Sequence, residues 1–150
     1  MKFAGRYYHT LDPKGRTSIP VSFREILSQN NFDRIVLTND QKAEEQVLVG
    51  YTPDRWDELV QKLERQPQFD ENVEMFKLYY ISGAQEVSID RQGRILVPPS
   101  LREATGLDKE IVIIGAGDTI QIWSKEAWQE VSQKARKSFK QIKAALADVL

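Results

Sequence analysis

The stretch Leu11-Asp12-Pro13-Lys14-Gly15-Arg16-Thr17-Ser18-Ile19-Pro20 decides the fold, because the chain writes it again as Ile89-Asp90-Arg91-Gln92-Gly93-Arg94-Ile95-Leu96-Val97-Pro98. In both copies an apolar residue leads into Asp, two residues separate Asp from Gly-Arg, and a short β-favouring run ends at Pro. The correspondence continues outward. Phe23-Arg24-Glu25 answers to Leu101-Arg102-Glu103, Ile35-Val36-Leu37 to Ile111-Val112-Ile113, and Tyr51-Thr52-Pro53-Asp54-Arg55-Trp56 to Trp123-Ser124-Lys125-Glu126-Ala127-Trp128. The repeating object is therefore one supersecondary unit, and the chain holds two of them.

Taken in order, Tyr7 to Leu11 reads as a strand and Pro13-Lys14-Gly15 as the turn that closes it onto a second strand ending at Ile19-Pro20. Asp12 is placed to accept backbone N–H groups in an Asx-type turn, and Gly15 supplies a backbone of positive φ; Asp90 and Gly93 repeat both parts. Pro20 opens a helix with Phe23, Ile26 and Leu27 on one face. Arg34 to Thr38 and Gln46 to Tyr51 are strands joined by the polar stretch 39–45. Thr52-Pro53 reads as a capping hydroxyl before a first-turn proline, starting a helix with Trp56, Leu59, Val60 and Leu63 on one stripe. Asp70 opens a second connector helix that runs to Ser82-Gly83.

The second unit repeats the plan: a strand to Ile89, a turn at Arg91-Gln92-Gly93, a strand to Val97, and a short helix stopped by Gly106 as a left-handed cap. Strands 110–114 and 119–123 flank a Gly115-Ala116-Gly117-Asp118 turn. Ser124 caps a long last helix whose Trp128, Val131, Ala135, Phe139, Ile142, Leu146 and Val149 form a stripe longer than one small domain covers, part of it free to meet another subunit. The expected organisation is a first repeat at 1–53, a helical connector at 54–82, a second repeat at 83–126 and a C-terminal helix at 127–150.

Composition narrows the function. The 150 residues suffice for one sizeable core. The absence of cysteine excludes disulfides and thiolate metal sites. His9 is the single histidine, with no acidic cluster spaced for a metal, so neither a metal nor a cofactor is expected. No nucleophile and base pattern suggests an enzyme, and Gly115-Ala116-Gly117 lacks the helix a nucleotide loop needs. No run is apolar enough for a membrane span, and a cytoplasmic protein is expected. The net charge of -1 is not that of a generic nucleic-acid binder, but the charge is uneven. Residues 1–24 carry Lys2, Arg6, Lys14, Arg16 and Arg24 against Asp12 alone, whereas residues 40–75 carry ten acids against four bases.

These motifs resemble the MraZ family. The run from Phe3-Ala4-Gly5-Arg6-Tyr7-Tyr8-His9-Thr10 to Arg16 looks like the family's opening, Ser82-Gly83-Ala84 into Asp90-Arg91-Gln92-Gly93-Arg94 looks like its second half, and Val112-Ile113-Ile114-Gly115 and Ile122-Trp123 extend the match to about residue 128. The resemblance implies an α+β fold, a tandem AbrB-like (SpoVT-AbrB) swapped-hairpin β-barrel. It also implies a nucleoid-associated transcriptional regulator that binds double-stranded DNA as a ring-shaped homo-oligomer on direct promoter repeats of the division and cell-wall gene cluster. Two departures stand out. The connector reads Glu74-Met75-Phe76-Lys77 where the family tends to carry arginines, and Gln92 replaces Lys14 in the second loop, which favours the first loop as the stronger contact.

The DNA-binding candidates are Lys14 and Arg16, with Lys2, Arg6, Arg91 and Arg94. Lys14 suits a phosphate, and Arg16 suits bidentate contact with a phosphate or a guanine edge. A competing reading folds Arg16 back onto Asp12 or Glu25 as a surface ion pair of little energetic weight. A ring offers each loop many times over, so avidity makes up for weak single contacts. The alternative function is an assembly module that binds a protein partner with no direct DNA contact.

Overall fold

The computed structural model describes residues 2–150. The first unit comprises strands β1 (Phe3–Thr10) and β2 (Arg16–Ser18), helix α1 (Val21–Gln29), and strands β3 (Arg34–Lys42) and β4 (Glu45–Tyr51). Helices α2 (Pro53–Glu64) and α3 (Glu71–Phe76) and a turn of π-helix at Lys77–Ile81 connect it to the second unit. That unit comprises β5 (Gln85–Ser88), β6 (Arg94–Leu96), α4 (Pro99–Thr105), β7 (Glu110–Gly117) and β8 (Thr119–Ser124), and is followed by α5 (Lys125–Ala145).

The two units are interleaved. The six-stranded antiparallel sheet runs β1-β7-β8-β4-β3-β5, so each unit's first strand lies against the other unit's later hairpin. β2 does not fold back on β1 as a local hairpin; it crosses to pair with β6 in a two-stranded ribbon. The registers obey a pseudo-two-fold axis. Arg16 faces Leu96 while Ser18 faces Arg94, leaving Thr17 and Ile95 on the axis. Leu48 faces Ile122 while Gly50 faces Ile120, leaving Val49 and Gln121 on it. Thr10 opposite Glu110 matches Ser88 opposite Arg34 in the same way. No ladder joins the edge strands β1 and β5 among the described residues, so the sheet is open rather than the closed barrel expected.

Burial explains the crossing. Strand alternation gives the sheet two faces. The inner face, with Ile35, Leu37, Leu48, Ile111, Ile113, Ile120 and Ile122, packs on Ile19, Ile95 and Val97 of the ribbon segments and on Phe23, Leu27 and Leu101 of α1 and α4. Had β2 stayed beside β1, Thr17 and Ile19, both nearly fully buried, would have no core to enter. Phe23 takes the edges of Phe3 and Tyr7, each at 5.3 Å between ring centres, which ties α1 to β1. The outer face buries Val47, Val49 and Trp123 under Ala127, Trp128 and Val131 of α5. Beside them Tyr80 stacks on Phe76 at 4.6 Å and on Trp56 at 6.1 Å, docking the connector. The π-turn closes with Ser82 N–H donating to the Lys77 carbonyl at 3.0 Å, and the Tyr80 hydroxyl donates to Asp40 Oδ2 at 2.9 Å.

Several local expectations change. The polar stretch 39–45 is not a loop: β3 runs on to Lys42, and the reversal takes two residues, Ala43 and Glu44, both at positive φ (51° and 67°). Such a turn normally advertises itself through Asn or Gly, which this sequence lacks there. Gly115 and Ala116 belong to β7, opposite Gly5 and Ala4, and the bend falls at Gly117-Asp118. Thr52 precedes α2, but its hydroxyl caps nothing and is buried with no hydrogen-bond partner among the described residues. Ser124 does cap α5, accepting from Ala127 N–H at 3.1 Å, and Asp70 caps α3.

A Cβ built on Gly115 would fall on the backbone of Phe3 and Ala4. Gly115→Ala is therefore expected to loosen the β1–β7 ladder and cost about 1–3 kcal/mol, read as a lower urea midpoint with faster amide exchange in Ala4 to Tyr8.

Candidate nucleic-acid interface

The repeated decapeptides fold into matched turns at the ends of the ribbon. In the first, Asp12 N–H donates to the Arg16 carbonyl and Gly15 N–H to the Asp12 carbonyl, each at 2.9 Å. The Asp12 carboxylate closes the turn from inside. Its Oδ1 accepts from Lys14 N–H and Arg16 N–H, both at 2.9 Å, and its Oδ2 accepts from Arg16 Nε at 2.7 Å. In the second, Asp90 Oδ1 accepts from Gln92 N–H and Arg94 N–H at 2.9 Å, and Oδ2 from Arg94 Nε at 3.3 Å. Gly15 and Gly93 hold φ of 89° and 79°, a backbone that L side chains rarely adopt.

Each turn is braced by the other unit. Val97 N–H donates to the Gly15 carbonyl at 2.9 Å and Ile19 N–H to the Gly93 carbonyl at 2.8 Å. Arg102 lies over Gly15 and Arg24 over Gly93, where a Cβ on either glycine would meet the guanidinium group. Arg24 is anchored by its Nε donating to the Ile19 carbonyl at 3.0 Å. Neither bracing arginine is named by the turn motif itself; the available signal was their place in the repeated Phe-Arg-Glu and Leu-Arg-Glu triplets.

With Thr17 and Ile95 turned into the core, the outward face of the ribbon carries Arg16, Ser18, Arg94 and Leu96. The competing readings of Arg16 meet here. It does pair with Asp12, and not with Glu25, but through Nε alone; neither Nη nitrogen of Arg16 or Arg94 has a hydrogen-bond partner among the described residues. The aspartate holds the guanidinium in place and leaves its outer edge open. The tips are also closer in charge than the Lys14-to-Gln92 exchange implied, because Arg91 occupies the place of Pro13. Each tip presents one exposed cation, Lys14 or Arg91.

The remaining candidates lie elsewhere. Lys2 is exposed ahead of β1. Arg6 projects from the outer face of the sheet, its guanidinium 5.4 Å from the Trp128 ring centre, so the sheet stands between it and the ribbon. Half-buried His9 sits in β1 opposite Ile111, and among the described residues no cluster of potential metal ligands occurs. Among the described residues no helix is long and apolar enough to cross a membrane.

Fold and site together define an α+β protein of two interleaved repeats, with paired Asp–Gly–Arg turns brought to one exposed ribbon. The family described as "MraZ protein, putative antitoxin-like" matches residues 2–78 and 80–150, and the chain belongs to the MraZ family. It is 39% identical over 146 residues to the Transcriptional regulator MraZ of Heliobacterium modesticaldum, covering 97% of each chain. It is 38% identical over 148 residues to the protein of that name from Desulforamulus reducens, covering 99% of each. Likeness to a solution structure from Pyrococcus horikoshii is remote, with a TM-score of 0.35 and 16% identity over 81% of this chain and 89% of that one, and carries no weight.

The turn's acid response follows from its hydrogen bonds. Bonds to the ionised carboxylate, the Arg16 backbone N–H foremost and its guanidinium after it, outweigh partial desolvation and hold Asp12 at about 2, below the ordinary 3.8. Asp90 is lowered for the same reasons, the Arg94 N–H first. A carboxylate depressed on folding stabilises fully above its unfolded value and loses that contribution as pH falls. The Asp12 share should therefore be intact above pH 3.8 and drain away as the pH drops towards 2. An NMR titration should place the Asp12 midpoint near 2, and Asp12→Asn should remove that part of the acid sensitivity; an Asp12 midpoint at the ordinary value would show that its carboxylate does not hold the turn.

Proposed function

We propose that the β2–β6 ribbon and its two turns form a reading head for double-stranded DNA, and that the chain is a sequence-specific transcriptional regulator. The observation that carries this reading is the pair of arginines on the ribbon's outward face, each oriented by an aspartate and open at both Nη nitrogens. A two-stranded ribbon fits the major groove, where an arginine fork matches guanine O6 and N7 as well as a phosphate. Arg16 and Arg94 take those roles, and Lys14 and Arg91 at the tips act on phosphates. Lys2 contributes at most to the flank, and Arg6, on the far face, lies outside the head.

One chain offers four cations here, too few for tight binding at physiological salt. A ring-shaped homo-oligomer on direct promoter repeats supplies the missing contacts through avidity, and the division and cell-wall gene cluster is the target in this reading, which places the protein on the nucleoid in the cytoplasm. The exchange of first strands and the crossed ribbon favour the swapped-hairpin, AbrB-like architecture, with the repeats at 1–53 and 83–126 as reading units and 54–82 and 127–150 serving assembly. The relatives' name, Transcriptional regulator MraZ, agrees with this function.

Fluorescence anisotropy with promoter DNA across a salt series tests it. Lys14→Ala should weaken all sequences alike and reduce the salt slope by about one for each subunit engaged, while Arg16→Ala should cost about 1–3 kcal/mol per base contact and relax specificity. A Lys14→Ala/Arg16→Ala variant that keeps the wild-type mass, affinity and slope rules the ribbon out.

A further inference from the structure

Two surface features lie outside the ribbon and its turns. The first is a groove of about 630 Å³ on the outer face, between edge strand β1 and helix α5, walled by Arg6, Tyr8, Trp128, Arg136 and Phe139. Tyr8 and Phe139 are more than half exposed, and neither Arg6 nor Arg136 is in an ion pair among the described residues. Residues 131–147 of the adjoining helix and its end hold five cations and no acid. The second feature is Phe69, 98% exposed in the loop between α2 and α3. That loop is held at both ends: Gln68 Nε2 donates to the Leu63 carbonyl at 3.1 Å, and Asp70 caps α3 by accepting from Asn72 N–H at 2.8 Å. Residues 66–76 hold three acids and no cation.

We infer that Phe69 of one copy inserts into the β1–α5 groove of a second copy of this chain, with Glu71 and Glu74 facing Arg136 and the cations beyond it. The ring is aromatic and the groove is lined by aromatics and arginines, so stacking and cation–π contact both favour the match. The charges are complementary, and the loop is fixed in advance, so little is lost in ordering it. The chain does not fill its own groove, for Phe69 is 98% exposed and absent from the groove's lining. β1 and β3, beside which the connector docks, are four strand positions apart in the sheet, about 19 Å at the usual spacing. Knob and socket are different surfaces of one chain, and where copies do not exchange them reciprocally about a two-fold axis, such a contact propagates head to tail until it closes. The inference rests on the ring proposed above and assigns its interface. It also gives Arg6 a place: stacked on Trp128, it forms the inner wall of the socket.

Light scattering on the full-length protein, with circular dichroism as a check on folding, tests the assignment. Phe69→Ser spoils the knob and Arg136→Glu spoils the socket, both at exposed positions. Each variant alone should fall from the wild-type mass to that of a single chain, and an equimolar mixture should recover twice that mass and no more, because one sound knob then meets one sound socket. Adding Glu71→Arg and Glu74→Arg to Arg136→Glu should restore assembly. Both variants keeping the wild-type mass overturns the inference while leaving the ring; if Arg136→Glu then weakens retention on DNA or on anionic phosphatidylglycerol vesicles, the groove belongs to that partner. A wild-type protein that is a single chain at micromolar concentration overturns the ring and the interface together.

Discussion

The ladder between β2 and β6 is the contact on which the architecture depends. Each strand has only three residues, and each buries one side chain at the crossing, Thr17 or Ile95. The ladder nevertheless forces the two units to share a core, because strands that cross under the sheet bring Ile19 and Val97 with them. A unit of about fifty residues standing alone would bury too little apolar surface to be comfortably stable. Interleaving removes that limit: β1 and β5 each complete the other unit's part of the sheet. The same ladder fixes Arg16 and Arg94 relative to one another, so the spacing of the exposed cations follows from the core and not from loop conformation.

The aspartates show how acidic groups can belong to a surface proposed to meet DNA. Asp12 spends its lone pairs on two backbone N–H groups and on Arg16 Nε, and its pKa is lowered accordingly. Its charge is thereby committed to the turn. Arg24 and Arg102 do comparable work from outside, each lying on the glycine of the opposite unit. A bulkier residue at either glycine would face both an unfavourable φ and a guanidinium group, so the turn and its brace constrain each other.

Much of this was legible in the chain because the decapeptide repeats: the Asx turns, the glycines, the two units and the MraZ likeness all follow from it. Which strand pairs with which did not follow. A short strand, a tight turn and another short strand suit a local hairpin as well as a crossed ribbon, and the choice is made by burial of Ile19 and Val97 in a core assembled from both units. Ala43-Glu44 was hidden for a different reason: a positive-φ turn between strong strands tolerates residues that carry no turn signal of their own. At the site, comparing Lys14 with Gln92 one position at a time missed that Arg91 stands where Pro13 does. For Arg6 the sequence could not supply the sheet face: closeness to the basic turn says nothing about which face a strand residue occupies, and Arg6 stands on the outer one, over Trp128.

The departures from two-fold symmetry matter as much as the symmetry. A reading head with a true two-fold axis presents the same face in both directions and suits a palindrome, whereas direct repeats demand a direction. On the ribbon, Ser18 and half-exposed Leu96 are counterparts that differ in polarity, and the tips carry Pro13-Lys14 against Arg91-Gln92. The trailing helices differ more: α2 spans 12 residues and stops ahead of Pro67, while α5 spans 21 and leaves Phe139 and Ile142 bare. The loop after the first helix is acidic, and the groove bordering the second is lined by arginines and aromatic rings. In the ring proposed above, setting the first of these surfaces against the second points every copy in one direction, the orientation that a row of identically directed DNA sites requires.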